Sequence, residues 1–324
     1  MPRPLLLLLL VAAAAMVLGV GIGSVPLAPA EVWRGLRHAG DPAGLIVREL
    51  RVPRVLLAFL VGGGLGICGA ALQALVRNPL ADPYLLGLSG GAGLGAVLAI
   101  AARPSSAWAV PASAFAGAVG AVALVYRLSV VSGRRLDPRV LLLSGVVVGA
   151  FAAAVMSAVI VLSDAPQLRN AFLWLLGGFS AASWRTLAVF AAYAVLPFAF
   201  LFYSARSLDL LALGDEAALH LGADVERTKR LVYLCASMLT AASVATCGII
   251  GFVGLVVPHA VRRGWSPLHR ALLPGAFVAG GAFLVIADTL ARSVLRPVEL
   301  PVGVVTALVG VPLFAVLLRR TVSA

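Results

Sequence analysis

One lysine, Lys229, stands among 25 basic residues, set against 13 acidic ones. Charged side chains make up only 12% of the 324 residues, about half the share of a soluble domain. That scarcity excludes an ordinary soluble fold. With 61% hydrophobic residues, the chain reads as an integral membrane protein with many spans. A phosphate-binding loop needs Gly-Lys-Ser/Thr, and the sole lysine follows Thr228. The chain cannot hold ATP in that way, so any ATP-driven work needs a separate subunit. Cys68, Cys235 and Cys247 all lie in apolar runs, and the last two fall on one predicted helix, about 18 Å apart along its axis. That is too far to pair, which leaves no disulfide or metal framework. The net charge of +12 is scattered over short loops rather than gathered in a patch. This excludes a nucleic-acid surface and fits loops that orient the chain in a membrane.

Long apolar runs are what the chain has instead. They fall at roughly 5–27, 55–76, 84–102, 107–126, 140–162, 186–205, 231–250, 271–291 and 302–318, with a shorter piece near 171–182 read as a half-helix. A spanning helix needs about 20 residues. Met1 to Pro4 and the apolar stretch behind them imitate a signal peptide. The uncharged run from Leu5 to Leu27 exceeds the usual signal core, so it reads as an uncleaved first span. Leu231 to Val261 holds 31 residues without Asp, Glu, Lys or Arg, about 46 Å as one helix. Gly248, Gly251, Gly254 and Pro258 break it into one full helix and a short returning helix near 252–263. Counting that return as a crossing gives ten spans with both termini cytoplasmic, and 15 of the 25 bases inside. Without the crossing the inner count falls to 12. The positive-inside rule prefers ten. The whole of 1–324 reads as one transmembrane domain. Gly87, Gly91 and Gly95, Gly62 with Gly66, and Gly145 with Gly149 recur every fourth residue, which allows close helix approach in lipid.

Candidate chemistry is confined to a few places. Arg34, Arg37, Arg48, Arg51 and Arg54 crowd the first outer loop, and Arg292 and Arg296 end the ninth span. Two readings stand side by side: a docking face for an acidic soluble partner, or local pairing, since Asp288 and Arg292 are i, i+4 on one helix. The loop from Arg206 to Arg230 carries a short amphiphilic helix bracketed by Gly214 and Gly222, with a second short helix after it. Asp215 and Glu216 suit its first turn, and the pair reads as a handle for a cytoplasmic partner. His259, on the short eighth helix, reads as a hydrogen-bonded packing residue. His38, His220 and His269 read as exposed. Asp288 is the only acid well inside a predicted span, too few for the ion-coupling carboxylates of a secondary transporter. No catalytic cluster marks an enzyme.

Six ordered motifs then point one way: R-V-P-R (51–54), R-N-P-L-A-D-P-x-L-L-G (77–87), E-A-A-L-H-L-G (216–222), G-F-V-G-L-V-V-P-H (251–259), A-D-T-L-A-R (287–292) and E-L-P-V-G-V-V-T-A-L-V-G-V-P-L-F (299–314). Over nearly its whole length the chain resembles FecCD-type permeases, the membrane subunits of bacterial type II ABC importers for ferric siderophores, haem and vitamin B12. The resemblance implies an all-α inner-membrane subunit of about ten transmembrane helices, forming a homodimer with the substrate path between the copies. It implies two cytoplasmic ATPase subunits, which hold the ATP and Mg while this chain binds no cofactor. A periplasmic or lipid-anchored binding protein would deliver the substrate. By match, Arg51, Arg54 and Arg292 engage that binding protein. Gly214, Asp215, Glu216, Ala217, Ala218, Leu219 and Gly222 form the coupling loop, and Asn78 and Leu80 lie near the cytoplasmic gate. The chain departs from the vitamin B12 permease at Asp137-Pro138, where that protein has a Thr-Ser pair. Its coupling loop also lacks the later Ile-x-Leu-Pro part seen in other ABC importers.

Overall fold

The computed structural model describes residues 3–38, 42–103, 105–131 and 135–322. Arg134, one of the bases counted as inner, lies outside the described residues. The chain is an all-α membrane protein. Its helices run α1 Arg3–Gly21, α2 Pro29–Arg37, α3 Pro42–Leu45, α4 Val52–Val76, α5 Leu88–Ala101, α6 Ala109–Ser129, α7 Pro138–Val161, α8 Ala165–Leu175, α9 Trp184–Tyr203, α10 Ala205–Ala212, α11 Asp215–His220, α12 Val225–Cys247, α13 Val253–Gly264, α14 His269–Ala291 and α15 Val302–Val322. A π-helical turn, Ile46–Arg51, joins α3 to α4. A two-residue hairpin pairs Val130 with Leu136 ahead of α7. Among the described residues, seven helical segments are long and apolar enough to cross a bilayer, and α5 and the first part of α15 are shorter apolar helices. The short α13 is the returning helix expected near 252–263.

Burial sorts the bundle into centre and periphery. The spans built on α4, α12 and α14 are 83%, 67% and 67% buried, whereas α1, α6, α7 and α9 reach only 17–28%. Glycine makes the close contacts of α4 with α14 and α13 possible. A methyl group on Gly62 would lie 2.3 Å from the Gly280 carbonyl oxygen, and one on Gly69 would lie 1.8 Å from that of Gly254. Backbones this close gain dispersion contacts that larger residues would forbid. Helix starts follow their caps. Asp137 accepts from the amides of Arg139 and Val140, Ser183 from Thr186 and Asp224 from Arg227, which satisfies orphan first-turn donors.

Three boundaries differ from the sequence reading. The run at 84–102 is not one helix: Pro83–Leu86 forms a 3-10 turn, and Gly87 at φ +75 restarts the chain as α5. The half-helix expected near 171–182 is α8, which begins at Ala165 and stops at Leu175. Its first turns are polar and escape a hydropathy reading. The second short helix of the 206–230 loop precedes α11 as α10, because Asp224 caps α12 immediately after Gly222.

Candidate functional site

At one end of the bundle, α1 finishes with unpaired carbonyls, as every helix does. Arg51 gathers them: Nη1 donates to the oxygens of Val20 and Gly21 at 3.0 and 2.8 Å, and Nη2 to Val25 at 2.5 Å. Arg292 Nη2 donates to Gly19 at 2.5 Å. A cation at a helix C-terminus also answers the macrodipole. Both arginines are sealed in, at 4% and 2% exposure. Between them sits Asp288, itself buried. Arg54 grips it with a fork, Nε at 3.1 Å and Nη2 at 2.9 Å, the strong bidentate arrangement. Arg292 Nε lies 3.2 Å from Asp288 Oδ2. The remaining arm of Arg54, Nη1, reaches Glu299 Oε2 at 2.9 Å, and this pair meets the surface with side chains 13% and 32% exposed. Beyond it the rim is basic: Arg34, Arg37, Arg185 and Arg296 are exposed, and the Arg37 guanidinium lies 4.3 Å over the Trp33 ring.

Arg54 and Glu299 also line a cavity of about 920 Å³, together with Arg103, Gln167, Asn170 and Trp174. Thr246, Cys247, Gly177 and Val302 line it too. They belong to places where helices stop: Leu175 ends α8, Cys247 ends α12 and Val302 begins α15. The broken segments satisfy one another. Gly178 N–H donates to Cys247 at 2.8 Å, Val302 N–H to Gly177 at 3.0 Å and Gly303 N–H to Leu176 at 3.1 Å. The Tyr84 hydroxyl accepts from Ile250 N–H at 3.3 Å. Non-helical backbone between membrane helices survives only where protein buries it or it lines a cavity. Interrupted helices are also how transporters build midplane sites. Phe252, at φ +70, turns the chain from this lining into α13.

The opposite end holds the other predicted residues. Arg77 closes α4 in the left-handed region, φ 51. Asn78 Oδ1 then accepts from Leu80 N–H at 2.9 Å, which fixes the turn. Asp82 accepts from Tyr84 N–H at 2.8 Å. Burial pushes its carboxyl up to about 6, and the Tyr84 amide pulls the other way. In the 206–230 loop, Gly214 at φ +111 and Gly222 at φ +82 bracket α11. Ala218 is buried, while Glu216, Leu219 and His220 face outward. Asp215 bonds Lys229 Nζ at 2.5 Å.

Arg54 and Arg292 therefore come together through Asp288, and Arg51 and Arg292 both hold the end of α1. Asn78, Leu80 and the loop residues from Gly214 to Gly222 lie apart from them. The local-pairing reading holds for Arg292, which pairs with Asp288, and Arg54 has one arm at the surface. His269 corrects its reading as exposed. It is buried, with Nδ1 2.7 Å from Asp209 Oδ1, and the same oxygen accepts its backbone N–H at 2.9 Å. Asp209 thus caps α14 from 60 residues away. His38 and His220 are exposed as read, and His259 is half-buried. No hydrogen bond to the His259 ring occurs among the described residues. The sequence reading also passed over Glu299 as a partner of Arg54. The one available sign was an acid opening the last motif, two residues before Pro301.

Residues 7–320 match the FecCD transport family. The chain belongs to that family. FecCD relatives share most of its length. The cobalamin import system permease of Halobacterium salinarum is 44% identical over 279 residues, covering 86% of this chain and 74% of the relative. The hemin transport system permease of Yersinia pestis is 40% identical, covering 98% and 96%. An Fe(3+)-citrate import permease of Bacillus subtilis is 37% identical, covering 94% and 90%. Among solved structures, a metal-chelate type ABC transporter in an inward-facing conformation superposes with a TM-score of 0.88 at 31% identity, covering 99% of this chain and all of that one.

Proposed function

We infer that this chain is the permease subunit of an ATP-driven ABC importer, carrying an iron chelate (a ferric siderophore or haem) across the bacterial inner membrane. Cobalamin is the competing cargo, since relatives named for haem, ferric citrate and cobalamin all align along most of the chain. One observation carries the reading. A full-length FecCD match coincides with a cavity lined by interrupted helices beneath an arginine rim. The lining sets three charged side chains, Arg54, Arg103 and Glu299, among apolar and small polar groups, which suits a path that holds cargo weakly enough to release it.

The family match supports the rest of the proposal. Two copies pair, and the exposed Leu143, Val147 and Phe151 of α7, four residues apart, offer an apolar seam. The arginine end faces outward and receives the binding protein. Arg54 makes that contact at the surface, while Arg51 and Arg292 hold its platform. Both termini and the α10–α11 loop face the cytoplasm. The coupling segment from Gly214 to Gly222 seats an ATPase subunit, which holds ATP and Mg, and the exposed Leu213, Leu219 and Leu221 suit such a contact. Closure of the ATPase pair would tilt the helices around the path, with Asn78 and Leu80 near the inner gate. The test is uptake into vesicles carrying the chain, its ATPase and its binding protein, offered ferric citrate, hemin or cyanocobalamin. ATP-dependent accumulation of one of them is expected. Accumulation by the chain alone under an ion gradient would overturn the reading.

A further inference from the structure

The single lysine is almost wholly buried, at 1% exposure, four residues past the start of α12. Its Nζ lies 2.5 Å from Asp215 Oδ2, 3.8 Å from Glu226 Oε1 and 3.4 Å from the Leu136 carbonyl oxygen. Glu226 Oε2 in turn accepts from the Leu136 N–H at 2.9 Å. Leu136 is therefore held at both its amide and its carbonyl by α12, and the next residue, Asp137, caps α7. The other oxygen of Asp215 points elsewhere. It lies 3.9 Å from Arg77 Nη2, and it accepts no hydrogen bond among the described residues. Gly214, just before it, brings the chain so near that a methyl group there would sit 3.3 Å from Arg77 Nη1. Arg77 is the last residue before the turn fixed by Asn78 and Leu80.

One carboxylate on α11 thus faces two places at once: the mouth of α7 through Lys229, and the end of α4 through Arg77. The first link is closed at hydrogen-bond length. The second stands about an ångström too long for one. We propose that Asp215 is the positioning residue that carries motion of α11 to the 77–80 turn, with Lys229 as its fixed anchor and Arg77 as its moving contact. The proposal rests on the reading that an ATPase subunit seats on the α11 loop. A buried charge confers nothing on a passive connector that an apolar side chain would not supply more cheaply. It makes sense where a rigid, directional link is wanted.

The test follows the turn directly. Leu80→Cys is introduced, and its labelling by a membrane-impermeant maleimide is followed in complexes with the ATPase, before and after trapping with Mg-ATP and vanadate. Labelling of the chain without that cysteine is subtracted. Trapping should change the Leu80→Cys labelling rate by about fivefold or more, the usual scale of coupling between sites. Arg77→Gln leaves α11 and Lys229 untouched; it should keep ATPase capture at the starting level and abolish that change. Asp215→Asn should abolish it per captured ATPase. Should Asp215→Asn fail to fold, Arg77→Gln alone still decides. A nucleotide-driven change of full size in Arg77→Gln would overturn the proposal. Failure of the unsubstituted chain to capture the ATPase would overturn both this and the underlying reading, and the capture assay shows that separately.

Discussion

Arg54 and Asp288 are 234 residues apart in sequence, and their side chains meet at 2.9 Å. The contact ties the start of α4 to the end of α14, the two helices whose backbones run closest at Gly62 and Gly280. Asp288 serves Arg292 as well, so it neutralises one sealed cation and shares a second, Arg54, with Glu299 at the surface. Asp288→Ala should destabilise the protein by about 3–5 kcal/mol, the cost of leaving buried charge unpaired. Adding Arg54→Met to Asp288→Ala should recover part of that loss. Thermal unfolding in detergent, arranged as a double-mutant cycle, reads both. Equal loss in the single and double variants would contradict the pairing.

Gly62→Ala tests the helix contact itself. The added methyl would meet the Gly280 oxygen at 2.3 Å, and neither backbone can step aside without moving a central helix. Overpacking of this kind costs about 1–3 kcal/mol. Gly120→Ala, where a methyl meets nothing within 4 Å, should be neutral or slightly stabilising. Comparable melting temperatures for the two variants would argue against the close approach.

Asp82 predicts a pH dependence. Its folded carboxyl titrates at about 6 against an ordinary 3.8. The folded state therefore binds the proton more tightly than the unfolded chain. Stability is greatest below the unfolded value and falls as pH rises toward 6, with no further loss above it. Asp82→Asn keeps an acceptor for the Tyr84 amide and removes the charge. It should melt higher than the unsubstituted protein at pH 7.5, and the gap should close near pH 4. A gap that is constant with pH would refute the assignment.

If the proposed docking at the arginine rim holds, Arg54→Glu should weaken capture of a binding protein by tenfold or more, a loss of about 1.4 kcal/mol, while leaving ATPase capture intact. Capture by the unsubstituted chain should fall as salt rises, since exposed charge pairs are screened. Surface binding measurements at two ionic strengths provide both numbers. Binding that ignores both the substitution and the salt would remove the rim from the docking account.

Much of this was legible beforehand, and the exceptions share a cause. The spans announce themselves because a bilayer demands long apolar runs. The short α13 could be read from Gly248 and Pro258 because those residues break a helix wherever they stand. α8 began six residues earlier than expected because Gln167, Arg169 and Asn170 make its first turns polar. The pairing of Arg103 with Asp164, which anchors its start, joins segments 61 residues apart. His269 looked exposed until Asp209 arrived from another helix. Glu299 became a partner of Arg54 in the same way. Local periodicity carries the helices; the polar residues find their roles through contacts no local window contains.

The hydrogen bonds from Gly178 to Cys247, from Val302 to Gly177 and from Gly303 to Leu176 bear on how such a protein avoids leaking. Each broken segment finds its partners in the others rather than in its own helix. Displacing one strands polar backbone groups on the rest. The barrier at that level should therefore yield as a unit or stay shut, and a membrane that must keep its protons on one side needs a door that never stands ajar.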